Sequence, residues 1–306
     1  MPELPEVQTI VSDLQKILPG LKITGVETDW KKMFKNCSFE NFKKEVVGEK
    51  ILDVRRVGKN ILIDLSGGKT ILVHQKMTGH FLYGNWKRVT PPVAGEARWL
   101  SKEAGAIKDD PQNRFIHLIF NLSNGKQLAL SDLRKFAKVL LWPTGKLSEL
   151  KDINNLGPDP TAENFDFNKF QERLAGPPRL GEASKKGKIK TVLMDQSVFA
   201  GIGNIYSDEI LWLAGIHPLR QVSSLTQKEL KAIFNSTKKI LNKAIEARGT
   251  SDSDYRDPSG EKGHYQDILY VYGLEGEKCQ KKDGGIIARL KIGGRSAHFC
   301  PVHQKM

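Results

Sequence analysis

The chain has 306 residues, with 48 Lys and Arg against 35 Asp and Glu, and a formal net charge of +13. A chain of this length exceeds the usual size of one hydrophobic core, so we expect two or three domains. The positive charge favours a polyanionic partner, and no apolar run approaches the roughly 20 residues that span a bilayer, which favours nucleic acid over a membrane. Only three cysteines and a start unlike a signal peptide lead us to expect an intracellular, cytoplasmic protein.

The first element is predicted to be a helix, because apolar residues recur on one helical face over residues 7–18 before Pro19-Gly20 ends the pattern. From there to about residue 145, short apolar runs and glycine-containing turns indicate an all-β unit with a helix at its start. The predicted strands are 51–57, 60–65, 70–73, 115–122, 127–130 and 139–142. Residues 84–113, called the inserted segment below, contain three prolines and little periodicity and are interpreted as a long surface loop or an insertion.

The second half of the chain favours helices, most clearly a basic amphipathic helix over residues 225–248. Residues 176–190 contain Pro177-Pro178 and clustered lysines, which predicts a basic connector that is either a solvated loop or a contact for phosphate. The tail from about residue 256 is rich in glycine and ends in two strand-like runs, 286–291 and 295–300, around Gly293-Gly294.

The start of the chain contains a candidate nucleophile. Pro2 is a small second residue of the kind that permits removal of Met1, which leaves a secondary amine at the terminus. A terminal amine has a reference pKa of about 8 against about 10.4 for lysine, so its neutral form is better populated and can form a Schiff base with an aldehyde-like carbon. Glu3 and Glu6 lie three residues apart on one side of the first turn, suited to a general acid and a substrate contact. A proline and acids at a helix start also simply suit the helix dipole.

A resemblance decides between these readings. Met1-Pro-Glu-Leu-Pro-Glu-Val7 resembles the start of the formamidopyrimidine-DNA glycosylase family, and similar matches follow in order at residues 57–65, 74–79, 131–136, 195–209 and 291–300. The resemblance implies a bifunctional glycosylase and abasic-site lyase that removes 8-oxoguanine and formamidopyrimidines and cuts the strand by β,δ-elimination. The alternatives are an endonuclease VIII-like enzyme for oxidised pyrimidines and a non-catalytic DNA-binding protein. Residues 250–266 resemble the lid loop over an oxidised purine, which favours the first.

The resemblance also implies roles for individual residues. The catalytic residues would be Pro2, Glu3, Lys59 and Arg295. The substrate-binding residues would be Glu6, Met77, Arg134, Phe136 and Tyr265. The DNA-binding residues would be His74, His117, Lys135, Lys186, Lys190, Asn204 and Tyr206. Chemistry on a base requires that it leaves the stack, and flexible, planar-cationic and aromatic side chains such as Met77, Arg134 and Phe136 suit the gap. Singly, each would be an ordinary core residue or surface charge.

The sequence departs from the family at two places. The family usually ends in a zinc finger with two Cys-x-x-Cys pairs, whereas this chain has Cys279, Cys300 and His303, with Lys282 at the remaining position. Lys282 is not an ordinary zinc ligand and His298 is a possible substitute, so we expect a hairpin that works without tightly held zinc and a chemistry that needs no cofactor. Phe115 stands where the family usually has a DNA-contacting histidine, which predicts the loss of one phosphate contact.

Together these observations predict an α+β fold in three parts. An N-terminal β-sandwich domain with a leading helix covers residues 1–145, a helix-two-turns-helix domain covers 146–255, and a lid loop with a degenerate finger-like β-hairpin covers 256–306. The expected partner is double-stranded DNA with oxidised bases or abasic sites, in the nucleoid, and we expect the protein to be a monomer.

Overall fold

The structure is a computed structural model that describes residues 1–89, 98–175, 187–251 and 254–306. The chain forms two compact units, and each contains two stretches of sequence. Unit 1 consists of Met1–Asn154 and Ala247–Gln266, and unit 2 of Asn155–Glu246 and Asp267–Met306. The second stretch of unit 1, Ala247–Gln266, is called the return segment below. The three consecutive domain ranges expected from the sequence do not include units that are made of two separate stretches of the chain.

Unit 1 contains two four-stranded antiparallel sheets, as the predicted β-sandwich requires. One sheet has the order β1-β8-β9-β5 and the other the order β10-β4-β3-β2. The strands of the first sheet are β1 (Ile23–Thr28), β5 (His80–Gly84), β8 (Ile116–Leu122) and β9 (Gln127–Ser131). The strands of the second are β2 (Ile51–Val57), β3 (Asn60–Leu65), β4 (Lys69–His74) and β10 (Lys138–Pro143). All six predicted strands are therefore confirmed.

The core of unit 1 lies between these sheets because alternate residues of each strand face inward. Side chains from both sheets form one buried cluster: Val26, Phe81, Leu118, Phe120, Leu128 and Leu130 from the first, and Val54, Ile61, Ile63, Ile71, Val73 and Val139 from the second. Strands β3 and β4 are buried on both faces, since Leu62 and Leu72 belong to a second cluster with Leu147 and Leu150. Burial on both faces explains their continuous apolar sequence.

Helix α1 (Leu4–Ile17) is confirmed and adds one apolar face to the same core. Its buried residues include Val7, Ile10 and Leu14. The chain leaves the helix through Gly20, whose φ of +92° suits a residue without Cβ. The sequence did not predict β1, β5 or the short helix α2 (Phe39–Val46), in which only Phe42 and Val46 are buried.

The interpretation of the inserted segment as a surface loop is wrong in part. Strands β6 (Trp86–Val89) and β7 (Arg98–Ser101) pair as an antiparallel hairpin. Trp86 and Ile107 are buried in a cluster with apolar residues of β5, β8 and β9, namely Leu82, Ile116, Ile119 and Ala129. Trp86 and Ile107 thus cover part of one face of the first sheet, which a loop prediction from the prolines does not reveal.

Unit 2 begins with helices and ends with a hairpin. The helices include α4 (Phe167–Ala175), α5 (Ile189–Met194), α6 (Asn204–Ala214) and α7 (Gln227–Glu246), after the short α3 (Lys151–Asn154) of unit 1. Two turns connect α5 to α6, which confirms the predicted helix-two-turns-helix element. Strands β11 (Ala288–Ile292) and β12 (Arg295–Phe299) form the predicted C-terminal hairpin. Most of the predicted basic connector, with Lys186, lies outside the described residues, and among the helices that are described none is long and apolar enough to cross a membrane.

Candidate active site

The start of the chain is held in a fixed position at the head of α1. Glu3 is the N-cap of the helix, and its backbone N–H donates to Glu6 Oε2 at 2.7 Å. The Glu3 carboxylate in turn accepts from the backbone N–H of Glu6, which completes a capping box. Pro2, Glu3 and Glu6 are all buried. Pro2 and two carboxylates are thus brought together in one buried turn. Removal of Met1 would turn the Pro2 nitrogen into a secondary amine, and the turn would then hold the groups needed for Schiff-base chemistry.

The return segment rests on Glu6. The second oxygen of that carboxylate, Oε1, accepts the backbone N–H of Thr250 at 2.7 Å, and the Tyr255 hydroxyl donates to the Glu6 carbonyl at 3.4 Å. Gly249 has a φ of +82°, and a Cβ there would lie 2.7 Å from Glu6 Oε1. Only glycine therefore fits where the return segment passes over the carboxylate.

Lys59 lies in the turn between β2 and β3 and is buried. The turn is tied to α1 through Arg56, whose Nη1 donates to the Gly58 carbonyl at 3.1 Å and whose Nε donates to Gln8 Oε1 at 2.8 Å. The lysine is thus carried on a turn that is anchored to the helix that begins beside Pro2.

His74, at the end of β4, is held neutral. Its Nδ1 accepts the backbone N–H of Lys76 at 3.0 Å, so the ring proton is on Nε2. Burial and the positive charges of Lys76, Lys59 and Lys138 lower the pKa of His74 to about 3. A neutral imidazole with an Nε2 proton can donate to an anionic oxygen without a change of charge, as the predicted DNA contact requires.

The three predicted gap-filling residues lie on two loops. Met77 follows β4 and is half-buried, whereas Arg134 and Phe136 follow β9 and are exposed. The Arg134 guanidinium lies 4.7 Å from the centroid of the Phe136 ring, within range of a cation–π contact. A cation and an aromatic ring are thereby presented to solvent as one unit.

Thr78 and Asp132 join these two loops. The Thr78 hydroxyl donates to Asp132 Oδ1 at 2.5 Å and accepts the backbone N–H of Arg134 at 3.0 Å. Asp132 Oδ2 accepts the backbone N–H of Ala137 at 2.7 Å. One buried hydroxyl and one buried carboxylate therefore connect the loop of Met77 to the loop of Arg134, and no sequence pattern indicates this connection.

Two predicted ligand contacts in unit 1 are corrected by burial. His117 is 5% exposed and its Nδ1 lies 2.8 Å from Asp29 Oδ1, so it is an internal residue of β8 and not a DNA contact. Tyr265 is fully buried, so its side chain is not exposed to a ligand. Lys135 has a φ of +56° and its amino group lies 5.1 Å from the centroid of Trp30. Its contact with DNA stays a prediction.

Two predicted DNA contacts in unit 2 are corrected in the same way. Lys190 is fully buried, and its Nζ lies 2.6 Å from Asp208 Oδ1 and 3.1 Å from Ser207 Oγ. The other oxygen of Asp208 accepts the backbone N–H of His298 at 2.9 Å. Lys190 therefore joins α5 to α6, and Asp208 joins α6 to β12. The ring of Tyr206 is also fully buried, so it does not reach a ligand.

The other two residues of unit 2 that were predicted to contact DNA, Asn204 and Arg295, lie in local structure that suits this role. Asn204 is the first residue of α6, and the positive end of the helix dipole there suits an anion. Arg295 is exposed at the start of β12, directly after Gly293 and Gly294, whose φ angles are +55° and +77°. The hairpin turn thus presents the arginine to solvent.

Four side chains of unit 2 form a candidate metal site. One ligand atom from each of Cys279, Asp283, Cys300 and His303 lies within 4.8 Å of the others. His303 Nδ1 is 2.7 Å from Asp283 Oδ2 and 3.6 Å from Cys279 Sγ. The sequence supplied three of these residues and missed Asp283, because only the family's ligand position, now Lys282, was considered. His298 binds Asp208 and is not the substitute ligand.

The comparisons agree with this geometry along the chain. The model of the formamidopyrimidine-DNA glycosylase N-terminal domain matches residues 1–139, and the model of the family's H2TH domain matches residues 156–255. A formamidopyrimidine-DNA glycosylase of Pelotomaculum thermopropionicum is 40% identical over 306 residues, and one of Herpetosiphon aurantiacus is 37% identical over 306 residues. The first match covers all of both chains, and the second covers 99% of this chain and all of the relative.

Solved structures give the same result. A complex of Lactococcus lactis Fpg with DNA that contains an abasic site has a TM-score of 0.81 at 32% identity and covers 99% of this chain and 100% of that one. A complex of the same enzyme with DNA that contains N7-benzyl-Fapy-dG has a TM-score of 0.82 at 33% identity, with full coverage of both chains. The fold and the turn at Pro2 define a DNA glycosylase of base repair. The chain belongs to the formamidopyrimidine-DNA glycosylase family.

Proposed function

We propose that this glycosylase removes the oxidised purines 8-oxoguanine and formamidopyrimidine from double-stranded DNA and then cuts the abasic site by β,δ-elimination. The observation that carries the proposal is the buried turn in which Pro2 directly precedes the capping box of Glu3 and Glu6. After loss of Met1, the Pro2 amine attacks the anomeric carbon, the base leaves, and an iminium joins the protein to the opened sugar.

The two acids have different roles in this proposal. Glu6 accepts backbone N–H groups of Glu3 and Thr250 on its two oxygens, which suits a carboxylate that positions the chain start and the return segment. We assign proton transfer during ring opening of the sugar to Glu3, which lies directly after Pro2. The return segment includes the stretch that resembles a lid loop and is hydrogen-bonded to Glu6 through Thr250. In this proposal it would hold the extruded base.

The remaining predicted residues would act on the phosphates and the base stack. Lys59 and Arg295 suit stabilisation of phosphate oxygens during strand cleavage, and His74 and the start of α6 at Asn204 suit phosphate binding. Arg134 and Phe136 are exposed together, and with Met77 they suit the gap that an extruded base leaves. The net charge of +13 favours binding of the duplex.

A nicking assay tests the proposal. Three duplexes are compared, which carry 8-oxoguanine opposite cytosine, an oxidised pyrimidine, or a preformed abasic site. We expect cleavage of the first and third. A Lactococcus lactis relative has been solved with DNA that contains an oxidised pyrimidine, so the second duplex measures how far this chain shares that substrate. Cleavage of the pyrimidine duplex without cleavage of the 8-oxoguanine duplex would overturn the purine assignment, and cleavage of none would overturn the enzyme function.

We also infer that Cys279, Asp283, Cys300 and His303 hold a structural zinc ion. Sulfur, imidazole and carboxylate groups are all zinc ligands, and four of them make a closed tetrahedral site. His303 Nε2 lies 3.1 Å from the Trp212 carbonyl, to which it must donate, so Nδ1 keeps its lone pair for the metal. A Cβ at Gly285 would lie 2.3 Å from Cys300 Sγ, so the chain passes close to the cluster there. Bound zinc would stabilise the hairpin that carries Arg295.

A further inference from the structure

A buried ion pair connects the inserted segment to the return segment within unit 1. Arg256 Nε donates to Asp110 Oδ2 at 2.9 Å, and the two side chains are 11% and 4% exposed. Asp110 is fixed on its own side, since its Oδ1 accepts the backbone N–H of Gln112 at 2.7 Å. Separation of the two side chains would leave each as a buried unpaired charge, which is unfavourable. The ion pair therefore holds the two segments in a defined relative position.

Three further contacts lie beside this ion pair. The backbone N–H of Tyr83 donates to the Pro258 carbonyl at 2.7 Å, and Gln112 Nε2 donates to Asp254 Oδ1 at 3.2 Å. Gly260 has a φ of +86°, and a Cβ there would lie 2.9 Å from both the Cα and the backbone nitrogen of Ile107. The return segment therefore contacts β5 through a backbone hydrogen bond, and it contacts the inserted segment through side chains and through the close approach of Gly260 to the Ile107 backbone.

The described residues of the inserted segment are themselves held in place by packing and hydrogen bonds. Ile107 is buried with Trp86 against the first sheet, as described above. Asn113 Oδ1 accepts from Trp86 Nε1 at 2.8 Å, and Asn113 Nδ2 donates to the Ile107 carbonyl at 2.7 Å. One asparagine thus connects the hairpin of the segment to the stretch that contacts Gly260. This packing explains how residues 98–113 take a defined position without sequence periodicity.

The other end of the return segment contacts α1. Thr250 donates to Glu6, and the Arg248 guanidinium binds both Asp13 of α1 and Asp257 of its own segment. The return segment therefore spans from the carboxylate beside Pro2 to the inserted segment. Between these two anchors, Glu261, Lys262 and His264 line an open cleft of about 600 Å³.

We propose that the inserted segment is a positioning element for base excision, in which Asp110 acts through Arg256, and Ile107 through Gly260, to hold the return segment against Glu6. Asp110 and Arg256 are positioning residues, because neither is placed on the reacting atoms. The proposal rests on the proposed function, since the return segment is there assigned to the extruded base. An abasic site has no base to hold, so loss of the anchor should slow excision and spare cleavage of abasic DNA.

The test compares Asp110→Asn and Gly260→Ala with Asp109→Asn, a matched control that makes the same change at the exposed neighbouring acid. Single-turnover excision is measured on the 8-oxoguanine duplex, and cleavage on the abasic duplex. We expect Asp110→Asn and Gly260→Ala to slow excision by about 10-fold to about 100-fold, because small misplacements of positioning groups have effects of that size. Abasic cleavage should stay within about twofold in all three variants, and Asp109→Asn should match the wild type in both assays.

Arg256→Lys keeps the charge and should restore part of the excision rate relative to Arg256→Met. Thermal unfolding accompanies each assay, and if Asp110→Asn does not fold, Gly260→Ala and the Arg256 pair decide the outcome. Wild-type excision by Asp110→Asn and Gly260→Ala, or an equal loss of both activities, would overturn the inference. A wild-type protein that cuts neither duplex would instead contradict the proposed function.

Discussion

Lys190 and Asp208 form an ion pair that is closed to solvent, with Nζ 2.6 Å from Oδ1 and both side chains fully buried. The pair connects α5 to α6, and the second oxygen of Asp208 binds the backbone of His298 in β12. Because β12 begins at Arg295, the pair supports the hairpin that carries this predicted phosphate-binding residue. A lysine that sequence alone places on DNA is therefore a structural residue of unit 2.

Lys190→Met tests this role. We expect the free energy of unfolding to fall by about 3–5 kcal/mol, since Asp208 would be left as an unpaired buried charge. The slope of log binding constant against log salt should not change, because the lysine does not meet phosphate. Lys188→Met is the control, since Lys188 is exposed and its loss should alter stability by no more than about 0.5 kcal/mol. A salt slope that flattens by about one unit in Lys190→Met would show a phosphate contact after all.

Thr78→Val tests the connection between the two loops that carry Met77 and Arg134. The valine cannot donate to Asp132 or accept from Arg134, so we expect stability to fall by about 1–3 kcal/mol. Base excision should slow about tenfold or more, because the gap-filling residues lose their spacing. Thr78→Ser keeps the hydroxyl and is the control. Fluorescence of a 2-aminopurine beside the lesion reports base extrusion, and wild-type extrusion by Thr78→Val would count against the connection.

Asp283→Asn tests the metal site. The wild type should purify with near-stoichiometric zinc, whereas the variant should lose zinc to a chelator and lose strand cleavage with it, because three ligands leave an open position. Lys282→Asn is a matched control at the residue next along the chain, where a φ of +55° is one that asparagine tolerates. Metal analysis before and after chelation gives the result. Zinc-free wild-type protein with full cleavage activity would restore the sequence-based expectation of a hairpin without zinc.

The pKa of His74 predicts an acid dependence of stability. The folded pKa is about 3 and the unfolded value is about 6.5, so below pH 6.5 the unfolded chain takes up a proton that the folded chain does not. The stability from this residue is complete above pH 6.5 and is lost as the pH falls toward 3. Between pH 7 and pH 5 the wild type should lose about 2 kcal/mol more than His74→Gln in urea unfolding. Equal losses in both proteins would show that His74 titrates normally.

Much of the fold could be predicted because local sequence patterns indicate its helices and strands. Strands β2, β3 and β4 are runs of Val, Ile and Leu separated by glycine turns, and the helix at the start has one apolar face. Helix α2 escaped prediction because only two of its eight residues are buried. The burial of Trp86 and Ile107 was missed as well, since it depends partly on residues of β8 and β9, such as Ile119 and Ala129, that are distant along the chain.

Site residues that belong to a local sequence motif could be predicted from the sequence. Contacts that depend on residues distant along the chain were missed. Pro2, Glu3 and Glu6 are neighbours in sequence, and their capping box follows from that spacing. By contrast, the burial of Lys190 depends on Asp208, 18 residues further on. The fourth metal ligand was missed because Asp283 is one residue beyond the family's usual position, and proximity to Cys300 comes only from the folded tail.

Borohydride trapping on the 8-oxoguanine duplex tests the central claim, that the Pro2 amine is the nucleophile. Wild-type protein that has lost Met1 should form a covalent protein–DNA adduct, and mass spectrometry should place the adduct on Pro2. A variant that retains a residue ahead of Pro2 should bind the lesion duplex but neither trap nor cut it, because its Pro2 nitrogen is an amide. Undiminished trapping and cleavage by this variant would contradict the account.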